Sequence, residues 1–186
     1  EETNGGADNI ILGGFGDDVI TAQGGTNTIL GDNGTVERDA SELVTRVYTA
    51  DEEEATGGDD RITLGDGTNT VLGGMGADTI AAPGGTNIIL GDNGEVNVGG
   101  AVFSAPVGQG GPDGIAAGAH STNLGAAGTD EISAEGGINT ILGDNGTVER
   151  NADDVVTRVF TADEDGTTGG NDLIILGDGI NTVLGG

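Results

Sequence analysis

Aspartate recurs along this chain at a spacing suited to coordination chemistry. Asp18, Asp60, Asp78, Asp113, Asp130 and Asp172 each occupy the sixth place of a nine-residue unit. An aliphatic residue follows two places later, as in Asp18/Ile20, Asp60/Ile62, Asp78/Ile80 and Asp130/Ile132. Carboxylate oxygens are hard ligands, and together with backbone carbonyls they are the donors that Ca²⁺ prefers. Mg²⁺ fits such a row less well, because flexible turn carbonyls do not enforce its small octahedral shell. If the units stack as coils of parallel β-structure, successive carboxylates lie ~4.8 Å apart. Each neighbouring pair would then repel by roughly 3–4 kcal/mol at an effective dielectric of about 20. The column therefore calls for divalent counter-ions. Asp17, Asp59, Asp32, Asp92 and Asp144 lie beside it and can add oxygens, although each taken alone would be solvated.

Other chemistry is poorly provided for. His120 is the single histidine and has no nucleophile or orienting partner nearby in sequence, and cysteine is absent. No Gly-x-Ser-x-Gly elbow, phosphate-binding glycine loop or His-Glu-x-x-His occurs, so the expectation is that the chain is not an enzyme. The formal charge is −27 and all five basic residues are arginine (Arg38, Arg46, Arg61, Arg150, Arg158). Phosphate binding needs a positive surface, which argues against nucleic acid and, equally, against anionic membrane. No apolar run approaches the ~20 residues of a membrane-spanning helix, and no cleaved leader is recognisable at the start.

The elements that hold the aspartates must be built without bulk. Only four of 186 residues are aromatic, while 40 are glycine. Low hydrophobicity with high charge ordinarily means disorder, but here the glycines are periodic, and a nonapeptide period signals a β-helix. The sixth place alternates Asp and Asn, the latter at Asn27, Asn69, Asn87, Asn139 and Asn181. Two units thus form one 18-residue coil, with an aspartate turn on one edge and an asparagine turn on the other. Alternation along the short strands points Ile20 and Ala22, or Ile62 and Leu64, toward a narrow interior. Stacked asparagine amides can hydrogen-bond along the axis without an ion. The neighbouring threonines Thr26, Thr68 and Thr86 invite an ice-binding reading, but Ile138 and Ile180 interrupt the row.

Longer repeats lie above the coil. Residues 31–74 match residues 143–186 without a gap, 32 of 44 positions being identical. The expectation is a single repeat array over 1–186, cut from a longer tandem one. Insertions at about 35–56, 95–110 and 147–169 carry β-prone runs and read as hairpins on every second coil. They would leave from the aspartate edge and stack as a second layer covering the metal column. Two stretches resist assignment. Residues 114–124 lack one residue, leaving Ser121 and Asn123 as rival occupants of the asparagine turn. Near the start, either Asp8 or Asn9 fits the turn position. The fold class expected is all-β, a right-handed parallel β-solenoid of about six coils.

Gly13-Gly14-Phe15-Gly16-Asp17-Asp18-Val19-Ile20-Thr21 and Gly73-Gly74-Met75-Gly76-Ala77-Asp78-Thr79-Ile80-Ala81 resemble the RTX, or hemolysin-type, calcium-binding nonapeptide. The resemblance implies a parallel β-roll in which turn carbonyls and the sixth-place aspartate bind Ca²⁺ between coils. It also implies export as an unfolded chain that calcium folds outside the cell. Ala126 and Ala127 depart from the motif, and asparagine on the second edge departs from the family habit of binding calcium on both. The expected role is a calcium-stabilised structural segment of a large secreted bacterial surface protein, such as an adhesin stalk, filament or surface-layer scaffold. Expected partners are calcium ions and neighbouring copies of itself. A secretion and folding tail of an exported enzyme or toxin is the alternative, and an ice- or glycan-binding module a third reading.

Overall fold

The computed structural model describes residues 8–49, 56–105, 110–161 and 169–185. They contain nineteen strands and no helix. A six-stranded parallel sheet consists of β2 (Val19–Ala22), β6 (Arg61–Leu64), β8 (Thr79–Ala82), β12 (Gly114–Ala117), β14 (Glu131–Ala134) and β18 (Leu173–Leu176). A seven-stranded parallel sheet consists of β1 (Asn9–Leu12), β3 (Thr26–Leu30), β7 (Thr68–Leu72), β9 (Thr86–Leu90), β13 (Ser121–Leu124), β15 (Ile138–Leu142) and β19 (Ile180–Leu184). The chain alternates between the two sheets and adds each new strand beside the last. Pairing keeps like with like, for example Ile20 beside Ile62 and Asn27 beside Asn69.

Between the sheets runs a thin aliphatic core. Ile20, Ile62, Ile80, Ile115 and Ile132 of one sheet meet Ile11, Ile29, Val71, Ile89 and Ile141 of the other, backed by alanines such as Ala22 and Ala82. Period-two alternation selects these residues. The opposite parity of the seven-stranded sheet holds a second buried column, Leu30, Leu72, Leu90, Leu124 and Leu142, and this one faces outward from the first core.

A third, antiparallel sheet covers those leucines. It contains β4 (Gly34–Arg38), β5 (Val44–Thr49), β10 (Gly94–Asn97), β11 (Val102–Ser104), β16 (Gly146–Arg150) and β17 (Val156–Thr161). Sequential strands pair as β4–β5, β10–β11 and β16–β17, and β5–β10 and β11–β16 join the pairs. Val47, Val96, Val102 and Val148 are fully buried against the leucine column. The layer thus lies on the outer face of the seven-stranded sheet rather than over the aspartate column, correcting the expected placement. The physical reason is the leucine row, an apolar strip that water would otherwise wet. On the far side of the layer Arg46 of β5 bridges Glu37 of β4 and Glu95 of β10, and its guanidinium lies over the Tyr48 ring. The acidic stretches 51–54 and 163–165, and the insertion residues 106–109, fall outside the described residues.

Both ambiguous stretches take a definite register. Asn9 pairs with Asn27, placing it on the asparagine edge, while the Asp8 carboxylate accepts a hydrogen bond from the Thr26 N–H. Ser121 pairs with Asn87 and takes the asparagine place. The missing residue is absorbed in the turn before it, where His120 adopts a φ of 60°. Asn123 falls beside Ile89 and Ile141 in the aliphatic column, fully buried. Its Nδ2 donates to Ser121 Oγ, but its Oδ1 has no hydrogen-bond partner. A buried unsatisfied acceptor costs about 1–3 kcal/mol. Asn123→Ile should therefore stabilise the calcium-loaded protein by roughly that amount, checked by calorimetric melting. An unchanged or lower melting temperature would show that Oδ1 is satisfied.

Candidate calcium column

The six sixth-place aspartates stand at the turns that enter the six-stranded sheet, one at each level. Their backbones and side chains form a directional ladder. Asp18 N–H donates to Asp60 Oδ1 at 2.8 Å, Asp60 N–H to Asp78 Oδ1 at 2.8 Å and Asp78 N–H to Asp113 Oδ1 at 2.8 Å. Asp113 N–H donates to Asp130 Oδ1 at 2.9 Å and Asp130 N–H to Asp172 Oδ1 at 3.1 Å. One oxygen of each bonded carboxylate is therefore used to hold the next level. The other is not at Asp60, Asp78, Asp113 and Asp130, whose Oδ2 is buried without a hydrogen-bond partner, as is Oδ2 of Asp18 at the end of the ladder.

Those second oxygens point into a shared space. A Cβ added at Gly73 would collide with both Asp78 Oδ2 and the Gly91 carbonyl oxygen, and one at Gly31 with Asp60 Oδ2 and the Gly73 carbonyl. Glycine opens each turn because that volume belongs to oxygen atoms. Each of these carbonyls accepts one backbone bond, as Gly91 does from Gly74 N–H at 3.1 Å and Gly73 from Asp32 N–H at 3.2 Å. A carbonyl oxygen carries a second lone pair. Every level thus offers a spare carboxylate oxygen and spare carbonyl capacity, a donor set that fits Ca²⁺. Nowhere among the described residues do three acidic or histidine side chains converge on one point. A site here would have one carboxylate per level, with backbone supplying the rest. Bound calcium would put positive charge between levels that otherwise repel.

The flanking aspartates divide into two kinds. Asp32, Asp92 and Asp144 are buried, which corrects the expectation that they are solvated. They fasten neighbouring turns: Asp32 Oδ2 accepts from Met75 N–H at 2.6 Å, Asp92 Oδ2 from Ala127 N–H at 2.7 Å and Asp144 Oδ1 from Gly170 N–H at 2.6 Å. All three follow a Leu-Gly pair at the end of a strand of the seven-stranded sheet, where the chain meets the neighbouring turn. Asp17 and Asp59 are exposed and form an outer rung, accepting from Asp59 N–H at 3.0 Å and Ala77 N–H at 2.8 Å respectively. Ala126, a departure from the glycine pattern, is held at a φ of 78° where Gly14 and Gly74 have 103° and 116°.

On the opposite edge nothing is left over. Asn9 Nδ2 donates to Asn27 Oδ1, Asn27 to Asn69 and Asn69 to Asn87, at 2.7–2.8 Å. Ser121 Oγ donates to Asn139 Oδ1, and Asn139 Nδ2 to Asn181 Oδ1. An amide carries its own donor for the next level, and a carboxylate does not.

The electrostatic consequence is large. Burial pushes Asp60 up to about 6, Asp130 to about 7 and Asp78 to about 8, from an ordinary 3.8. Neighbouring carboxylates add to the rise, and the backbone N–H that each accepts opposes it. Asp92 and Asp113 are likewise raised, chiefly by burial.

Residues 3–35, 54–80 and 124–147, just under half of the chain, match the family model of the RTX calcium-binding nonapeptide repeat, with four copies. The chain carries RTX calcium-binding repeats. No curated protein and no solved structure matches it. The matched spans contain Asp18, Asp60, Asp78 and Asp130; Asp113 and Asp172 lie outside them, yet join the RTX ladder through the same bonds. The buried leucine row was overlooked in the sequence, although its signal is plain: leucine stands directly before the turn glycine at Leu12, Leu30, Leu72, Leu90, Leu124, Leu142 and Leu184.

The raised values set the sign of a pH response. Without metal, folding favours protonated carboxyls, so stability is intact below about 4 and is lost as pH rises through about 6 to about 8. The melting temperature of metal-stripped protein should fall across that window, and saturating calcium should abolish the fall. A metal-free protein whose stability rises over the same window would contradict this account.

Proposed function

We propose that the chain is a calcium-assembled structural segment, without catalytic activity, of a large extracellular bacterial protein such as an adhesin stalk, filament or surface-layer scaffold. The observation that carries this reading is the column of buried, unpaired Oδ2 atoms beside glycine carbonyls. The ligands are Asp18, Asp60, Asp78, Asp113, Asp130 and Asp172 with the turn carbonyls, while Asp17, Asp59, Asp32, Asp92 and Asp144 hold the turns in place. In this reading the array is a right-handed roll of six coils with a hairpin on every second coil. Repulsion along an empty column keeps the exported chain unfolded where calcium is scarce, and extracellular calcium closes the stack. The added valine–leucine layer thickens a core too slender to resist bending by itself, which suits a load-bearing rod.

Calcium titration of metal-stripped protein, followed by circular dichroism and then by chelation, tests the proposal. The β-signal should appear cooperatively with calcium and vanish on chelation. A full β-spectrum in metal-free buffer at neutral pH, unchanged by calcium, would refute it.

Asp113→Asn separates ligand from scaffold. The amide keeps the oxygen that accepts from Asp78 N–H but removes the charge. It should raise the melting temperature of metal-free protein in mildly acidic buffer, where the fold persists, and lower that of calcium-loaded protein at neutral pH. A site held at a hundredfold excess over its Kd contributes about 2.7 kcal/mol, and calorimetry in both conditions reads the loss. A variant equally stabilised by calcium would exclude Asp113 as a ligand.

A further inference from the structure

A second site lies away from the aspartate column. Where β16 and β17 cross the outer face of the seven-stranded sheet, a cleft of about 440 Å³ opens between the two layers. Arg150, Thr122, Thr140, His120, Ile88 and Val156 are among its walls. Small-molecule sites span roughly 300–1,000 Å³ and combine apolar walls with a few polar groups. The cleft stands over the irregular level, where the shortened turn ending at His120 leads into Ser121 and Thr122.

Arg150 is the feature that asks for a ligand. Its side chain is only 4% exposed, whereas Arg38, the matching residue in the first insertion, is 44% exposed. Among the described residues its one ion pair is Nη1 to Asp154 Oδ1 at 3.3 Å, and Asp154 is 57% exposed. A guanidinium carries five donors, and a buried charge is stable only when well paired. Burial pulls the Arg150 pKa below its ordinary value, against the opposing pull of Asp154. Arg46, by contrast, is shared between two carboxylates on the solvent side of the hairpin layer. Arg150 is thus a largely covered cation with a single ion-pair partner, and it lines the cleft beside hydroxyls and aliphatic wall. His120 and Asp154 are the other titratable groups lining the cleft.

We propose that this cleft binds a carboxylate-bearing ligand of sugar-acid size, with Arg150 taking the carboxylate in a two-pronged ion pair. Planar guanidinium matches carboxylate in that geometry. The threonine hydroxyls at Thr122 and Thr140 serve ring hydroxyls, and Ile88 and Val156 cover the apolar ring face. Asp154 competes with the incoming carboxylate for Arg150.

His120 is the only histidine in the chain, so its ring protons give an unambiguous proton-NMR reporter at the cleft. Calcium-loaded protein is titrated with sodium D-glucuronate, D-glucose and sodium acetate. Glucuronate should give a saturable shift of the His120 resonances at least tenfold tighter than either of the others. Arg150→Gln should weaken it at least tenfold, and Arg38→Gln should leave it unchanged. Asp154→Asn should tighten it several-fold, since asparagine tolerates the φ of 60° at that position and removes the rival anion. Equal binding of glucose or acetate, a shift that Arg150→Gln retains, or weakening by Asp154→Asn would each overturn the proposal. So would the absence of a saturable shift in the unsubstituted protein, which does not depend on any variant folding.

Discussion

The structure depends on a carboxylate that is half-used. At Asp60, Asp78, Asp113, Asp130 and Asp172 one oxygen accepts a backbone N–H from the adjoining level, which fixes the spacing and register of the turns. The Oδ2 atoms of Asp18, Asp60, Asp78, Asp113 and Asp130 are carried into a buried space with no proton donor. Such a column is stitched together by hydrogen bonds and pushed apart by charge at the same time. The raised values at Asp60, Asp78 and Asp130 express that conflict, with desolvation as the larger part. A hard divalent cation relieves both parts, since it supplies charge and accepts the spare lone pairs.

The two edges solve one geometric problem with different chemistry. Asparagine has a donor and an acceptor on one amide, so its ladder closes on itself and leaves no charge. Aspartate has only acceptors, so its ladder leaves buried oxygens without a hydrogen-bond partner. Alternating the two gives one edge a neutral amide ladder and the other a row of spare carboxylate oxygens. Where the asparagine is lost, at Ser121, a hydroxyl and a backbone N–H together donate to Asn139 Oδ1, so that joint is kept with a shorter side chain.

Bulk is the second constraint. Isoleucine and alanine between two flat sheets give a core one side chain thick. The insertions enlarge it by laying a valine-faced antiparallel sheet on a leucine row. The repeat is also locally irregular, one residue being missing from the turn before Ser121. Near the irregular level the cleft beside Arg150 appears, so the imperfection of the repeat is where the surface stops being periodic.

The sequence alone carried the coil, the alternating turns and the alignment of the six aspartates along one edge. All of these follow from period and residue type, and a nine-residue rhythm brings equivalent residues into line without distant information. It also placed β-strands in the insertions, because β-branched runs are a local signal. Tertiary structure decided what those strands cover. The leucines preceding each turn glycine were visible in the sequence, but nothing local says that their side of the strand is roofed rather than wet. Likewise Asp32, Asp92 and Asp144 sit in the same Gly-Asp-Asn-Gly as a solvent turn would, and only stacking buries them under the adjoining level. The choice of Asn9 over Asp8, and of Ser121 over Asn123, rested on pairing with strands 18 or more residues away. Burial and register are properties of what comes to lie alongside, and a strand does not encode its neighbours.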